Sequence, residues 1–463
     1  MTTAGSAIST TSQTSRRADT VRTIDLRGES LTPVGMLASV PRAAQARAEA
    51  LAAAETIVDD VRTGGEVALR DQAERFDRVT GHAIRVPAEH LAQAAASVDP
   101  EVRAALESAI DRVRRGSAAQ VPAPQTTEIG PGARISQRWQ PVTRAGVYIP
   151  GGKAPLASSV VMNVVPAQVA GVTSIALASP PQAAHDGRVH PTILAAAALL
   201  GIDEVYAIGG AGAIGALAYG VPGIGLDPVD VVSGPGNNYV ASAKRVVAGV
   251  VGTDSEAGAT EILIVADESA DPDLVAADLV SQAEHDEQAS AVLVTDSAEL
   301  AERVAERVAE RAAQTRHAER VAAALSGPQS AIVLVDDRAM AEAFSNAYAP
   351  EHLELHLVDA SAAAERFTSA GAVFVGDQTP VSLGDYMAGS NHVLPTGGQA
   401  RYAAGLGAYT FLRPQQVIEY DHAALARARA GVVALSDAEV LPAHGEAVEA
   451  RFAARSGSAA AAG

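Results

Sequence analysis

Cysteine is absent from this chain of 463 residues. Its absence excludes disulfides, thiolate metal ligands and a cysteine nucleophile, so a bound metal would have to be held by histidine, carboxylate, amide or backbone groups. The chain also has no apolar run approaching the roughly 18 residues that a membrane helix needs. We therefore expect neither a membrane span nor sulfur-based chemistry.

Positive charge is outnumbered by negative charge, with 35 Lys and Arg residues against 54 Asp and Glu residues and a formal net charge of −19. A field of this sign repels nucleic acid and anionic membrane surfaces, so neither is expected as a partner. The opening stretch lacks the apolar core of a signal peptide. Residues 1–20 are expected to form a disordered tail and 456–463 a loose one, and the protein is expected to be cytoplasmic.

Short apolar runs bounded by Gly, Pro or Asp alternate with helical segments along most of the chain. One set runs from AGVYIPGG to VDVVSGPG and a second from EILIVAD to GAVFVGD. Strands that are apolar throughout and alternate with helices are typical of parallel sheets covered on both faces. The predicted fold class is α/β, with two Rossmann-like subdomains and small helical extensions at the N and C termini.

The two sets of strands suggest domain boundaries. We predict an N-terminal extension over 21–43, a main α/β domain made of 44–147 and 259–405, a second α/β domain over 148–258 and a C-terminal extension over 406–455. The charged segment AELAERVAERVAERAAQTRHAERVAAAL predicts one long surface helix. After Pro414 the chain is expected to be helical.

Five of the eleven histidines lie in segments that could form a site. The other six are expected at the surface, because they sit among polar or turn residues: His82, His90, His185, His190, His317 and His422. In DLVSQAEHDEQ, the preceding Asp271-Pro272 predicts a helix start. Gln282 and His285 are three residues apart on one helix face and could reach one cation. Taken alone, such a pair is more often an ordinary polar helix end.

The segment AYAPEHLELHLVD predicts a strand that places His352, Glu354 and His356 on one face. A metal cluster is one interpretation of this face, but a solvent-facing polar row opposite leucines is the commoner origin of such a pattern. Glu351 and His352, side by side after a turn, could serve two separate proton transfers. They are expected to point in different directions and not to form one hydrogen-bonded dyad.

Two further segments carry polar candidates. TPVSLGDYMAGSNHVLPTGGQAR predicts a long loop with Asp385 and His392, and long loops in compact domains are usually functional when they contain apolar residues. Glu439 and His444 precede a predicted helix that begins near Gly445, where ordinary helix capping is an equally common explanation.

Glycine-rich segments follow two of the predicted strands. AIGGAGAIGALAYG has the G-x-G-x-x-G spacing at Gly210, Gly212 and Gly215. Asp230 stands near the distance expected for an acid that binds a ribose, but the signal is weak in a chain so rich in Gly and Ala. SGPGNNYV is more specific, because its tight turn leaves Asn237 and Asn238 at a strand end, where a ligand could meet their amides.

Together these segments resemble the histidinol dehydrogenase family from about Thr23 to Arg451. The resemblance rests on GVYIPGG, ALAYG, SGPGNNYV, EILIVADESADPDLVAADLVSQAEHD, APEHLEL and GDYMAGSNHVLPT in that order, followed by E-x-x-x-x-H from Glu439 to His444. It implies a zinc-dependent enzyme that oxidises L-histidinol to L-histidine through the aldehyde and reduces two NAD. The metal site would lie in the main domain and the cofactor on the side of the second domain.

The resemblance also implies residue roles. Zinc would be held by Gln282, His285, Asp385 and His444, the last coming from the other subunit of a homodimer through the C-terminal extension. Substrate contacts would come from Thr260, Gln282, His285, His352, Asp385, His392, Glu439 and His444. NAD would meet Tyr148, Gly212 and Asn237. His352 would accept protons in both oxidation steps, and Glu351 would activate the water that hydrates the aldehyde.

One position departs from the family pattern. The family usually has Gln where this chain has Gly212, which leaves the affinity for NAD and the identity of the alcohol open. A paralogous dehydrogenase of another small polar alcohol is therefore an alternative. A second alternative is a zinc hydrolase with Glu351 as base. It is disfavoured because no H-E-x-x-H motif occurs and because it would leave the two dinucleotide-like sheets unexplained.

Overall fold

The computed structural model describes residues 21–42, 47–151, 154–256 and 258–453. The tails predicted at 1–20 and 456–463 lie outside the described residues. The described strands are β1 (Arg22–Asp25), β2 (Gln125–Gly130), β3 (Ala133–Pro141), β4 (Arg144–Tyr148), β5 (Ser174–Ser179), β6 (Val205–Ala207), β7 (Val231–Ser233), β8 (Gly252–Thr253), β9 (Glu261–Ala266), β10 (Ser290–Thr295), β11 (Ala331–Leu334), β12 (His352–His356), β13 (Ala372–Val375) and β14 (Leu412–Tyr420).

The described helices alternate with these strands over most of the chain. They are α1 (Pro33–Ser39), α2 (Arg47–Gln72), α3 (Ala88–Ser97), α4 (Pro100–Ala118), α5 (Ala157–Ala170), α6 (Pro191–Leu199), α7 (Gly210–Tyr219), α8 (Asn238–Val247), α9 (Pro272–Ala283), α10 (Ala298–Gln314), α11 (Ala318–Ser326), α12 (Arg338–Tyr348), α13 (Ala360–Ala363), α14 (Val381–Tyr386), α15 (His422–Ala438) and α16 (Pro442–Ala453). A π-helical turn, Ala73–Asp77, follows α2. No helix among the described residues is long and apolar enough to cross a membrane.

The second set of apolar runs forms a six-stranded parallel sheet in the order β1-β11-β10-β9-β12-β13. Every residue of β9, β10 and β12 is buried. Alternate residues of β9 enter different cores: Ile262 and Ile264 pack with α9, α10 and α11, whereas Leu263 and Val265 pack with α1 and α12. A strand covered on both faces needs apolar residues at every position, which is the pattern from which the sheet was predicted.

The first set forms a five-stranded parallel sheet in the order β6-β5-β4-β7-β8. Val147 of β4 faces a core shared with α5 and α6, and Tyr148 faces one shared with α7 and α8. Both sheets are therefore helix-covered and parallel, and the predicted α/β fold class with two sheets is confirmed.

Helices α2, α3 and α4 pack on the helices that cover the five-stranded sheet. Helix α2 packs against α7 and α8, α3 against α6 and α4 against α5, and Val58 of α2 shares a core with Ile214 of α7. This packing differs from the predicted main domain, which joined 44–147 to 259–405. Periodicity shows which face of a helix is apolar, but not which of two sheets that face covers.

A third, antiparallel sheet was not predicted. Its order is β14-β3-β2, with Leu412 opposite Pro141 and Tyr420 opposite Ala133. The prediction that the chain is helical directly after Pro414 is therefore wrong, because β14 continues to Tyr420 and the next helix begins only after it. Proline is tolerated there because β14 pairs on one side only. Helices α15 and α16 then pack on each other as the predicted helical extension.

Two other local expectations are corrected. The long surface helix is two helices, α10 and α11, separated at Thr315–His317. His82, expected at the surface, is buried, with Nε2 3.2 Å from the carbonyl oxygen of Ala207. An isolated bridge between Arg85 and Tyr206 brings this segment against β6, a pairing that local sequence does not reveal.

Candidate active site

A cleft of about 1320 Å³ lies between the two parallel sheets. The five-stranded sheet contributes residues at or after the carboxyl ends of its strands, among them Tyr148, Gly209 and Asn237. The six-stranded sheet contributes residues at the beginning of its strands, Thr260 before β9 and Glu351 before β12. Ligands of open α/β sheets bind outside the carboxyl ends of the strands, which assigns that role to the five-stranded sheet.

His352 begins β12 and is buried at the floor of the cleft. Its Nδ1 lies 2.9 Å from the carbonyl oxygen of Glu261. A carbonyl oxygen only accepts, so Nδ1 carries the ring proton and Nε2 is left with a lone pair. Burial lowers the pKa of His352 well below its usual value. The ring is therefore neutral at pH 7, with Nε2 as the basic atom.

His392 and Asp385 lie beyond that nitrogen. His392 Nε2 is 3.0 Å from His352 Nε2 and 3.3 Å from Asp385 Oδ1. Burial lowers the pKa of His392 to about 4 and raises the pKa of Asp385 to about 7. Asp385 lies in the short helix α14 and not in a loop, as was expected.

Glu351 is held by a chain of hydrogen bonds. Its Oε2 accepts from Thr260 Oγ1 at 2.6 Å and from the backbone N–H of Glu261 at 2.9 Å, and Thr260 Oγ1 accepts from Gln282 Nε2 at 2.8 Å. Burial raises the pKa of Glu351 to about 8 although both donors lower it. Its Oε2 is 3.6 Å from His352 Nδ1, too far for a hydrogen bond, so the two groups do not form a bonded dyad.

Helix α9 carries Gln282 near its end, and His285 follows the helix. Asp271 caps its first turn through the backbone N–H of Asp273, and Pro272 is its first residue, as predicted. His285 lies in the cleft, and burial lowers its pKa. Gln282 Nε2 is used by Thr260, and no described residue donates to its Oε1.

The last two predicted site residues lie elsewhere on the chain. Glu439 ends α15, and His444 lies within α16 and not before it. Both are exposed, and neither is among the residues that line the cleft. Within one chain the structure therefore brings together Thr260, Gln282, His285, Glu351, His352, Asp385 and His392, but not Glu439 and His444.

The glycines at 210, 212 and 215 lie inside α7 and do not form a loop before it. A Cβ at Gly215 would stand 3.3 Å from Val58 Cα, so this glycine allows α2 and α7 to approach. Asp230 accepts from the backbone N–H groups of Thr143 and Arg144 outside the cleft. The G-x-G-x-x-G interpretation is therefore wrong for a phosphate loop, although Gly212 itself lines the cleft.

Tyr148 and Asn237 line the cleft, as Gly212 does. The Tyr148 hydroxyl accepts from the backbone N–H of Gly210 at 3.2 Å. Asn237 Oδ1 caps α8 by accepting from the backbone N–H groups of Tyr239 and Val240. Because capping uses the oxygen, the Nδ2 amide is the part of Asn237 free to meet a ligand.

The polar row on β12 does not face solvent, which corrects that expectation. Glu354 and His356 are buried, with Glu354 Oε2 3.5 Å from His356 Nε2, and Asp278 of α9 joins them within 4.8 Å. Burial and the neighbouring Glu354 raise the pKa of Asp278 to about 7, and Glu354 raises the pKa of His356 against the effect of burial. Both shifts favour the protonated forms of Asp278 and His356, which lowers the net negative charge of the three groups.

This cluster also bears on the site. Glu354 Oε1 accepts from the backbone N–H of Val381, the first residue of α14, and α14 carries Asp385. Asp278 lies one turn before Gln282 on α9. The cluster therefore ties together the helices that hold two of the predicted ligands.

Most of the chain is similar to proteins of one known family. A family model described as histidinol dehydrogenase matches residues 40–452. A protein of Leifsonia xyli named histidinol dehydrogenase is 62% identical over 432 residues, which is 93% of this chain and 99% of that protein. The chain belongs to the histidinol dehydrogenase family.

Other histidinol dehydrogenases agree. A protein of that name from Mycolicibacterium smegmatis is 55% identical over 93% of this chain and 97% of its own length. The crystal structure of histidinol dehydrogenase from Elizabethkingia anophelis has a TM-score of 0.88 at 32% identity, covering 95% of this chain and all of that one. The resemblance recognised in the ordered motifs is confirmed, as is the expectation of a histidinol dehydrogenase fold.

The donor set of this family member fits a divalent cation. Asp385 is a half-buried carboxylate whose pKa is raised by burial, and His285, whose pKa is lowered by burial, lines the same cleft. Gln282 adds a free amide oxygen. Nitrogen and oxygen donors of this kind suit zinc and need no sulfur.

Three cleft or cleft-supporting residues were missed in the sequence. Glu261 orients His352, while Gln72 and Asp77 line the end of the cleft near Gly212. Glu261 sits in an apolar strand, EILIVA, where a buried acid was a signal in itself. Gln72 and Asp77 offered no comparable signal, because they belong to the polar end of a helix.

Proposed function

We propose that this chain oxidises L-histidinol to L-histidine through the aldehyde, with reduction of two NAD. The observation that carries the proposal is the neutral His352 ring, whose Nδ1 is hydrogen-bonded to Glu261 and whose Nε2 keeps a lone pair, in a cleft that the ends of the five-stranded sheet also line. Membership of the histidinol dehydrogenase family supports it. The cytoplasmic location expected from composition belongs to the same proposal.

We infer that zinc is held by Gln282, His285 and Asp385 of one subunit and by His444 supplied from the other subunit of a homodimer. Zinc held by these groups would serve as a template and charge anchor for the substrate. The exposure of Glu439 and His444 on the C-terminal helices supports their use across a subunit interface. Thr260 and His392 line the cleft, which supports a role for both in contacting the substrate.

NAD is assigned to the end of the cleft lined by Tyr148, Gly212 and Asn237. NAD bound there would supply the hydride acceptor for both oxidations. The buried Tyr148, whose pKa is raised to about 12 by burial, keeps its proton and can donate a hydrogen bond. Asn237 offers its Nδ2 donor from the first turn of α8.

His352 accepts the hydroxyl proton of the substrate at Nε2 in the first oxidation. Its orientation is set beforehand, because Nδ1 donates to Glu261. The proton must leave the ring before the second oxidation, in which Nε2 takes the proton of the hydrated aldehyde. A positioned base of this kind contributes typically about 10²–10⁴-fold.

Glu351 acts between the two oxidations. The aldehyde must be hydrated, because the chain has no cysteine to trap it as a thioester. Glu351 Oε2 is already engaged by Thr260 and the backbone of Glu261, whereas no described residue donates to Oε1. Oε1 therefore holds the water and accepts its proton.

The proposal is tested by the stoichiometry of the reaction. Purified protein given limiting L-histidinol and excess NAD should form two NADH per histidinol, followed at 340 nm, with histidine as product. Chelation should abolish the reaction and zinc should restore it. The exposed His317→Asn variant is a matched histidine control and should keep its metal content and activity.

Two other outcomes would favour the alternatives. Faster turnover of another small polar alcohol than of histidinol would indicate a paralogous dehydrogenase. Chelator-sensitive hydrolysis of esters or amides with no NADH formed would indicate a hydrolase that uses Glu351 as base.

A further inference from the structure

The space above Gly212 is filled by a side chain from another helix. Gly212 is the third residue of α7, and a Cβ built on it would overlap Oε1 of Gln72 and stand 3.3 Å from its Cδ. Gln72 is the last residue of α2. A side chain at 212 and the present position of the Gln72 amide are therefore mutually exclusive.

The Gln72 amide is held in this position, and Gln72 is one of the residues that line the cleft. Its Nε2 donates to the backbone oxygen of Ile57 at 3.1 Å, which fixes the amide plane. No described residue donates to its Oε1, and Gln72 and Gly212 both line the cleft. An acceptor that is oriented but unused is what a ligand donor group requires.

The neighbours of Gln72 indicate which part of a ligand can bind there. Asp77 also lines the cleft. Its carboxylate oxygens lie 3.2 and 3.3 Å from the position that a Cβ on Gly209 would take, and Gly209 directly precedes the N-terminus of α7. A carboxylate at that helix end repels a phosphate. Two acceptors side by side suit neutral donors such as the hydroxyl groups of a ribose.

We propose that Gln72 is a cofactor-binding residue that accepts a hydrogen bond from a hydroxyl or amide donor of the bound dinucleotide, and that Gly212 is needed to make room for it. The proposal rests on NAD being the cofactor. In this proposal the amide that contacts the dinucleotide comes from Gln72 of α2, because residue 212 of α7 has no side chain to provide one. Gln72 and Gly212 depend on each other. A substitution at only one of the two positions is therefore expected to weaken cofactor binding, whereas a matched substitution at both positions is expected to preserve it.

Four proteins test this dependence: wild type, Gln72→Ala, Gly212→Gln and the double variant Gln72→Ala/Gly212→Gln. The measurements are the Kd for NADH by fluorescence, without turnover, and the KM values for NAD and for histidinol. Loss of one neutral hydrogen bond predicts about a 3- to 10-fold weaker Kd in Gln72→Ala, with KM for histidinol unchanged. Gly212→Gln should weaken NADH binding at least as much, because its side chain collides with Gln72.

The double variant carries the decisive result. With Gln72 shortened, a glutamine at 212 can occupy the vacated space and supply the amide from α7, so NADH affinity should recover to within about 3-fold of wild type. The exposed neighbour Asp71→Ala, which does not line the cleft, is the matched control on α2 and should leave Kd unchanged.

Wild-type NADH affinity in Gln72→Ala overturns the proposal, as does a double variant no better than Gly212→Gln. If the Gly212→Gln variant fails to fold, comparing the Kd for NADH of Gln72→Ala with that of Asp71→Ala still tests the proposal. Failure of the wild type to bind NADH or to oxidise histidinol would instead refute the proposed function. The two failures are therefore distinguishable.

Discussion

His352 donates from Nδ1 to the backbone carbonyl of Glu261 at 2.9 Å, across two adjacent parallel strands. This bond fixes the tautomer, because the carbonyl has no proton to give. Glu261 is itself held, since its carboxylate pairs with Arg42 at 2.7 Å and accepts from the backbone N–H of Gly397 at 3.1 Å. The basic nitrogen of the site is therefore oriented by a network that reaches the N-terminal segment.

The first prediction concerns His352. His352→Asn should lower kcat for both the alcohol and the aldehyde by about 10²–10⁴-fold, because the same nitrogen accepts a proton in each step. The two half-reactions are measured separately, with histidinol and with histidinal as substrate. A large loss in only one of them would contradict the shared role. Unchanged NADH affinity would show that the cofactor end of the cleft is intact.

The second prediction concerns Glu351. Glu351→Gln keeps the size of the side chain and its ability to accept from Thr260, but removes the base. Aldehyde oxidation should fall by about 10²-fold or more, while alcohol oxidation falls much less. Histidinal released during histidinol turnover, trapped by an aldehyde reagent, should increase. Equal loss in both half-reactions would refute the division of labour between Glu351 and His352.

The third prediction is a pH profile. Burial raises the pKa of Glu351 to about 8, and the residue is a base only when ionised, so aldehyde oxidation should rise as the pH rises through this value. The pKa of His352 is lowered by burial, so the residue is neutral at both neutral and alkaline pH. Alcohol oxidation should therefore show no rise with pH in this range. In Glu351→Gln the alkaline rise of the aldehyde step should vanish. A rise that survives this substitution would assign the limb to another group.

The fourth prediction concerns a buried ion pair beneath the turn at Gly234. Lys244 and Asp254 are nearly inaccessible and 2.5 Å apart, Lys244 also donates to the Gly234 carbonyl, and Asp254 accepts from the Gly234 N–H. Gly234 has φ of 127°, and a Cβ there would overlap the Tyr148 carbonyl oxygen. Lys244→Met leaves a buried carboxylate unpaired and should cost about 3–5 kcal/mol of unfolding free energy.

Chemical denaturation measures this loss, and the neighbouring surface variant Arg245→Met is its control. Because the turn leads into Asn237, KM for NAD should rise in Lys244→Met while KM for histidinol stays unchanged. A stable Lys244→Met protein with wild-type KM for NAD would show that the pair does not support the turn.

Sequence patterns sufficed where the information is local. The apolar runs identified both parallel sheets, and Asp271-Pro272 identified the start of α9. The packing of α2 on α7 and the pairing of β14 with β3 depend on contacts between distant segments, so neither was predictable from periodicity.

The same limit explains the error on β12. For the face of His352, Glu354 and His356, a solvent-facing polar row was taken as the commoner origin than a metal cluster, because alternating polar residues usually face water. The strand lies instead between β9 and β13, and its charges are tolerated because Asp278 arrives from α9 to share them. Likewise, the candidate site residues could be found from ordered motifs, whereas Gln72 could not, because its role depends on the missing side chain at Gly212.

The last prediction tests whether the site is shared between subunits. His352→Asn and His444→Asn should each be inactive as homodimers. In a mixed dimer, one site combines the two substitutions, but the other has His352 from one subunit and His444 from its neighbour, both unaltered. Random mixing makes half of the dimers mixed, so co-expression should restore about a quarter of wild-type activity. If His444 served its own chain, every site would carry a substitution and the mixture would stay inactive.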